Sequence, residues 1–207
     1  MDDGYAPFPK TVQRTRLALY LPSLRGGGAE RVMVTLANAF AERGYTVDLI
    51  LVSAEGPYLD EVSDTVRILD LGCSRVLTSL PRLIGYLRRE RPVALLSAMG
   101  HANAIALLAR VLSGVPTRVI VSERNQFSVS IAQSGNVLSR VLWRGIPQIY
   151  RFADGIIAVS VGVADDLSER TGLARKEINV VYNPVFGPLI RKLGDEIADY
   201  HWFRHGQ

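Results

Sequence analysis

The sequence predicts an α/β protein built as a doubly wound, mostly parallel sheet with helices on both faces. Short apolar, β-branched runs recur along most of the 207 residues, and segments of helical periodicity lie between them. The runs are apolar at nearly every position rather than every second one. That is the pattern of strands covered on both faces, and it argues for parallel pairing through helical crossovers.

Taken in order, residues 1–15 are polar and proline-containing without periodicity, and are expected to form a flexible tail. Arg16–Leu21 reads as the first buried strand. Ala29–Arg43 follows as a helix, with Val32, Leu36 and Phe40 on one stripe and Gly44 as its stop. Thr46–Val52 is the second strand and Arg67–Leu71, after a turn at Gly56-Pro57, the third. Leu80–Arg89 reads as a helix that tolerates Pro81 in its first turn. Val93–Ser97 is a fourth strand, Ala102–Leu112 an apolar helix and Thr117–Ser122 a fifth strand. Asn136–Phe152 is expected to be helical, broken near Gly145 and Pro147. Gly155–Val159, Val161–Arg170 and Ile178–Val181 complete the alternation as strand, helix and strand. The stretch 186–207 has weak periodicity and reads as a linker.

Composition narrows the function. The net charge is +4 and only Lys10, Lys176 and Lys192 are lysines, so the basic excess is arginine, which suits forked contacts to phosphate. No RRM, zinc-finger or helix-turn-helix signature accompanies it, so nucleic acid is not the expected partner. Cys73 is the only cysteine, which leaves neither an intrachain disulfide nor a cysteine-rich metal site. There is no signal-peptide h-region, and no run reaches the roughly 18 apolar residues of a spanning helix. The expected location is cytoplasmic, with room for a peripheral contact on the inner face of the membrane. Residues 80–89 (LPRLIGYLRR) combine an apolar and a basic face. The plainer reading is a helix packed on the sheet with its basic face in water.

In an open parallel sheet, ligands bind beyond the carboxyl ends of the strands. Those ends carry Gly26-Gly27-Gly28, Met99-Gly100-His101, Glu123-Arg124-Asn125, Ser160 and Asn183. Three glycines before a helix permit close backbone approach to a phosphate or sugar oxygen, at a helix end with free N–H groups; the alternative is a tight turn that merely feeds the helix. The dinucleotide pattern fails because Arg31 stands where its third glycine belongs, and no acid but Glu55 lies near the end of strand two. The P-loop pattern fails because Ala29-Glu30 follows Gly28. His101 is a candidate base or hydroxyl partner, with helix capping or a core role as the plainer alternative. Glu123-Arg124 reads equally as an ion pair or as a sugar-orienting pair. No metal-ligand spacing is present.

At this point the residues carry a resemblance. GGGAERVMVTLANAFAERGYTVDLILV (26–52), SERN (122–125), ADGIIAVSVGVADDL (153–167) and INVVYNPV (178–185) occur in the order of landmarks of the glycosyltransferase family 4 amino-terminal domain. The resemblance spans residues 16–185. It implies half of a GT-B fold, in which a Rossmann-like acceptor domain faces a donor domain across a cleft. The implied reaction moves a sugar from a UDP- or GDP-linked donor to a glycan or lipid-linked acceptor, retaining anomeric configuration, with no metal and no cofactor beyond that co-substrate. The setting it implies is envelope glycan or glycolipid assembly. The glycine loop would approach the donor's phosphate and sugar, and His101 the transferring sugar. Arg25, Arg31, Glu123, Arg124, Asn125 and Asn183 become possible cleft contacts. On this resemblance YHWFRHGQ (200–207) would precede a donor-binding domain that lies beyond the sequence, and the chain by itself is expected to be inactive. The alternative is a non-catalytic module that pairs with a separate donor half.

Overall fold

The computed structural model describes residues 15–125 and 148–183. The tail 1–14, most of the helix expected over 136–152 and the linker 186–207 lie outside the described residues. Seven parallel strands form one sheet: β1 (Arg16–Leu21), β2 (Thr46–Leu51), β3 (Arg67–Asp70), β4 (Ala94–Ala98), β5 (Arg118–Glu123), β6 (Gly155–Ala158) and β7 (Ile178–Val180). Their spatial order is β3-β2-β1-β4-β5-β6-β7. The helices that lie wholly within the described residues are α1 (Gly28–Glu42), α2 (Leu80–Glu90), α3 (Gly100–Ser113) and α4 (Val161–Thr171), with short 3₁₀ turns at Pro57–Glu61, Val76–Ser79 and Arg175–Glu177.

The two-sided burial of β1 explains the architecture. Ala18 and Tyr20 belong to one apolar cluster, with Leu83, Leu87, Ile105 and Leu107 of α2 and α3. Leu19 and Leu21 belong to the other, with Met33, Val34 and Ala37 of α1. Alternate side chains of a strand point to opposite faces, so a strand that is apolar throughout needs both covers. Helix α1 ends where Gly44 adopts a φ of 86°, as the stop signal predicts. Helix α3 starts two residues earlier than expected, at Gly100, which draws His101 into its first turn.

A carboxylate is fully buried in this apolar layer. Asp48, fully buried, points from β2 toward α2. Arg16 donates to both its oxygens at 3.0 and 2.8 Å, Arg67 does so at 2.8 and 2.7 Å, and the Tyr86 hydroxyl donates at 2.6 Å. Burial alone would raise the pKa of Asp48. The hydrogen bonds from Arg67, Tyr86 and Arg16 outweigh it and hold the carboxyl below its ordinary value. The cluster ties the amino-terminal ends of β1, β2 and β3 to α2.

Asp48→Ala would strand a buried tyrosine hydroxyl and two half-shielded arginines. The expected loss in urea denaturation at pH 7 is about 3 kcal/mol. Because the folded-state pKa is depressed, the Asp48 contribution is complete at neutral pH and disappears as pH falls through that pKa, so wild type and variant converge in acid. A variant as stable as wild type at pH 7 would overturn this account.

Candidate functional site

The sheet order reverses between β1 and β4: from β1 the chain winds outward to β2 and β3, then returns to β4 and runs the other way. Loops that leave adjacent strands for opposite faces open a crevice at the carboxyl edge. The two loops at this switch point are Gly26-Gly27-Gly28, after β1, and Met99-Gly100-His101, after β4.

The glycine loop is held by a residue that sequence reasoning used only to reject a P-loop. The Glu30 carboxylate accepts hydrogen bonds from the N–H groups of Gly26 and Gly27, both at 2.7 Å. This is the return bond of a capping box, and a Glu three positions into a helix is its legible signal. Gly26 has a φ of 116°, which a side chain would rarely adopt. A Cβ on Gly28 would meet nothing within 4 Å, so the space beside it is open. The loop is also braced from outside. Leu24 N–H donates to the Glu55 carbonyl at 2.9 Å, and the Tyr58 hydroxyl donates to the Gly26 carbonyl at 3.2 Å. Gly56 makes this approach possible, because a Cβ there would lie 2.0 Å from the Leu24 oxygen. The sequence shows Gly56 only as a turn.

Arg25 and Arg31 serve this brace. Arg25 pairs with Glu55 at 2.5 Å, while Arg31 pairs with Glu61 at 3.1 Å and lies over the Tyr58 ring, 5.1 Å from its centroid. Both are exposed, so the pairs fix geometry more than they stabilise.

His101 is the second residue of α3, exposed at the rim. The surrounding chain removes enough water to hold its pKa below the ordinary imidazole value. It is therefore neutral at pH 7, with one ring nitrogen free to accept. The turn that delivers it is strained: Met99, a non-glycine residue, has a φ of 77°. Asn103, two residues beyond His101, anchors the turn from below. Its N–H donates to the Met99 carbonyl at 2.8 Å, and its side-chain amide reaches the Ser122 carbonyl, Glu123 Oε1 and the Tyr150 hydroxyl at 3.2, 3.0 and 3.1 Å.

Glu123 and Arg124 do not pair with each other. Glu123 is buried beneath the rim, where Asn103 and Tyr150 donate to it. Burial raises its pKa to about 7, against the opposing pull of those two hydrogen bonds. Arg124 turns the other way, donating to Asn183 Oδ1 at 2.8 Å and approaching Met33 Sδ at 3.9 Å. The structure thus joins the predicted Arg124 and Asn183 across β6, while Asn125 is exposed beside them. Tyr150 and Asn103 were not predicted; they meet Glu123 only through the fold.

Four buried side-chain atoms among the described residues lack any hydrogen-bond partner: Ser97 Oγ, Asn103 Oδ1, Ser122 Oγ and Arg124 Nε. All four lie at the carboxyl edge of β4 and β5 or in the first turn of α3. Native proteins rarely leave such atoms unsatisfied, and here they share one edge. No group of acidic, histidine or cysteine side chains that could hold a metal occurs among the described residues.

The switch point of the doubly wound sheet thus carries a glycine loop and a histidine turn, without the glycine spacing of a dinucleotide site. The chain belongs to Glycosyltransferase Family 4, whose model matches residues 26–185. It is 29% identical over 181 residues to the Campylobacter jejuni N-acetylgalactosamine-N,N'-diacetylbacillosaminyl-diphospho-undecaprenol 4-alpha-N-acetylgalactosaminyltransferase, covering 82% of this chain and 48% of that one. Its fold is similar to that of the lipopolysaccharide outer core galactosyltransferase WaaB in its apo form (TM-score 0.60, 16% identity, 83% of this chain and 46% of that one). It is also similar to Anabaena Alr3699/HepE in complex with UDP (TM-score 0.61, 16% identity, 87% and 50%). The chain spans about half the length of these relatives.

The buried carboxyl provides a test of the site's wiring. Folded Glu123 keeps its proton to about pH 7, whereas its ordinary carboxyl pKa is 4.5. Folding therefore binds a proton between those values, and stability falls as pH rises through them. Glu123→Gln, with a permanently neutral amide, should lack that slope. Its stability relative to wild type should rise by up to about 3 kcal/mol between pH 4 and pH 8 in urea unfolding. An equal difference at both pH values would show that folding leaves the Glu123 pKa unshifted, and would overturn this account.

Proposed function

We propose that this chain forms the acceptor-side wall of a glycosyltransferase cleft. The reaction moves a sugar from a UDP- or GDP-linked donor to a glycan or lipid-linked acceptor, with retention of configuration and without a metal. The observation that carries the reading is the set of unsatisfied polar atoms at the switch-point edge, bordered by an open glycine loop and a neutral histidine. Each element has a role. Gly28 leaves room for an oxygen of donor or sugar beside the start of α1, where Glu30 holds the Gly26 and Gly27 N–H groups and fixes the loop. His101, neutral and strained into place, accepts a hydrogen bond from a sugar hydroxyl. Glu123, Asn103 and Tyr150 lie beneath and hold the histidine turn. Arg25 and Arg31 brace the glycine loop through its neighbour, and Asn183 orients Arg124.

Transition-state stabilisation in a cleft draws on groups from both walls. The described sheet supplies one wall, and a donor-binding domain is the partner it requires. Titration of the ¹⁵N-labelled 207-residue protein with UDP, with GDP and with a prenyl-diphosphate-linked sugar should shift the backbone amides of Gly26–Gly28 and Gly100–His101, without measurable sugar transfer. His101→Ala should weaken sugar binding about tenfold, the loss of one good hydrogen bond, and leave stability within about 0.5 kcal/mol. Shifts confined to other parts of the sheet would sink the reading.

The setting we infer is a membrane surface reached from one side. No helix of the described residues is long and apolar enough to cross a membrane. Helix α2 buries Leu83, Tyr86 and Leu87 in the core, so its apolar face is already used. Its outward flank carries Arg82, Arg88 and Arg89, beside exposed Arg75, Leu77 and Arg91. Contact there would be electrostatic rather than insertive. In sedimentation with vesicles, binding is expected with anionic lipid and should vanish at 0.5 M salt, where the Debye length shrinks to roughly 4 Å. Equal binding to neutral vesicles would overturn it.

A further inference from the structure

The arginines of this protein have visible partners, with one exception that matters. Arg16, Arg25, Arg31, Arg67, Arg89, Arg110, Arg170 and Arg175 each meet a carboxylate. Arg82 and Arg88, both on α2, cap backbone carbonyls. Arg43, Arg75, Arg91, Arg118 and Arg151 are exposed to water. Among the described residues, Arg124 alone is half-buried without a carboxylate or a backbone carbonyl to receive its charge.

Its surroundings orient the guanidinium and leave it un-neutralised. Asn183 Oδ1 takes one N–H at 2.8 Å, Met33 Sδ faces another at 3.9 Å, and Nε is buried with no acceptor. Glu123, its neighbour in sequence, and Glu30, on the helix that carries Met33, are both engaged elsewhere. Glu123 is turned under the sheet edge to Asn103 and Tyr150, and Glu30, one turn before Met33 on α1, holds the N–H groups of Gly26 and Gly27. A shielded cation held by neutral groups is unfavourable until an anion completes it. Its planar fork matches a tetrahedral oxyanion in a way that a lysine would not. Burial also pushes the Arg124 pKa down, and no acid among the described residues pairs with it to restore it.

We propose that Arg124, oriented by Asn183, is the binding residue for a phosphate group of the sugar-transfer substrates, so that this wall of the cleft takes a phosphorylated ligand rather than a neutral glycan. The inference rests on the glycosyltransferase reading and deepens it. Two ligands could present that phosphate: the diphosphate of a nucleotide-sugar and the diphosphate of a lipid-linked acceptor.

Isothermal titration of the 207-residue protein with UDP, with geranyl diphosphate and with methyl N-acetylgalactosaminide separates these sources. Arg124→Gln should weaken diphosphate binding at least tenfold and leave the neutral glycoside unchanged. Arg124→Lys should recover part of the loss, because it keeps the charge but not the fork. Asn183→Ala should weaken the same ligand by a smaller factor. Loss confined to UDP assigns the donor, and loss confined to geranyl diphosphate assigns the acceptor. The Tm of Arg124→Gln without ligand should equal or exceed that of wild type, since a shielded unpaired charge has been removed. A clear fall in that Tm, or equal diphosphate affinity in wild type and Arg124→Gln, overturns the proposal. If the glycine-loop and His101 amides still respond to sugar ligands in that case, the glycosyltransferase reading stands without it. Diphosphate binding lost in Arg124→Gln, with no response from those amides, has the opposite meaning.

Discussion

The structure depends on one topological constraint: seven strands all point the same way, and β1 sits inside the sheet rather than at its edge. Parallel neighbours require crossovers, and crossovers are right-handed. The connection from β1 to β2 therefore places α1 on one face, while the connection from β4 to β5, running the opposite way, places α3 on the other. The gap between those two departures is the crevice. Neither the glycine loop nor the histidine turn creates it. They occupy an opening that strand order has already made, which is why both loops can be short.

Within that opening, the backbone is held in conformations that isolated chains avoid. Gly26 and Met99 both have positive φ, one on each side of the switch point. For Gly26 the missing side chain removes the penalty. For Met99 it does not, and the strain is balanced from below by Asn103, whose backbone and side chain together reach Met99, Ser122, Glu123 and Tyr150. A polar network sunk under a strained turn fixes the direction in which His101 points. The loop after β1 is fixed by a different device, the Glu30 carboxylate, which satisfies two N–H groups that a helix start would otherwise leave free. Two rigid lips of unlike construction face each other across β1 and β4.

How much of this could be read beforehand follows from range. The strands and helices were legible because hydrophobic periodicity is a local signal, and the ends that moved did so by one or two residues. The placement of Gly26–Gly28 and His101 just beyond strand ends was legible because each follows an apolar run of strand length. Glu30 was legible in principle as a capping residue. Tyr150 was not, because its partner Glu123 is 27 residues away and only the return of the chain to β6 brings them together. Arg124 and Asn183, 59 residues apart, were each predicted, but nothing local could show that they meet, or that Glu123 and Arg124 would part to opposite sides of the sheet. Gly56 reads as any turn glycine until the Leu24 carbonyl is seen against it.

The two ends of the sheet show that the unsatisfied atoms are not a failure of packing. At the amino-terminal edge the same chain buries a carboxylate completely and answers it with two arginines and a tyrosine, each within hydrogen-bond distance. A sequence able to balance Asp48 so fully is able to balance Arg124, Ser97 and Ser122, and a carboxylate near Arg124 would do for that end what Asp48 does for the other. Such a residue would also fill the crevice with a competing charge. Leaving the carboxyl-terminal edge incomplete costs stability in the free chain and keeps its donors and acceptors available for a ligand. Among the described residues, the asymmetry between a closed polar cluster at one end and an open one at the other is a physical argument for a candidate site at the carboxyl edge that does not draw on any relative.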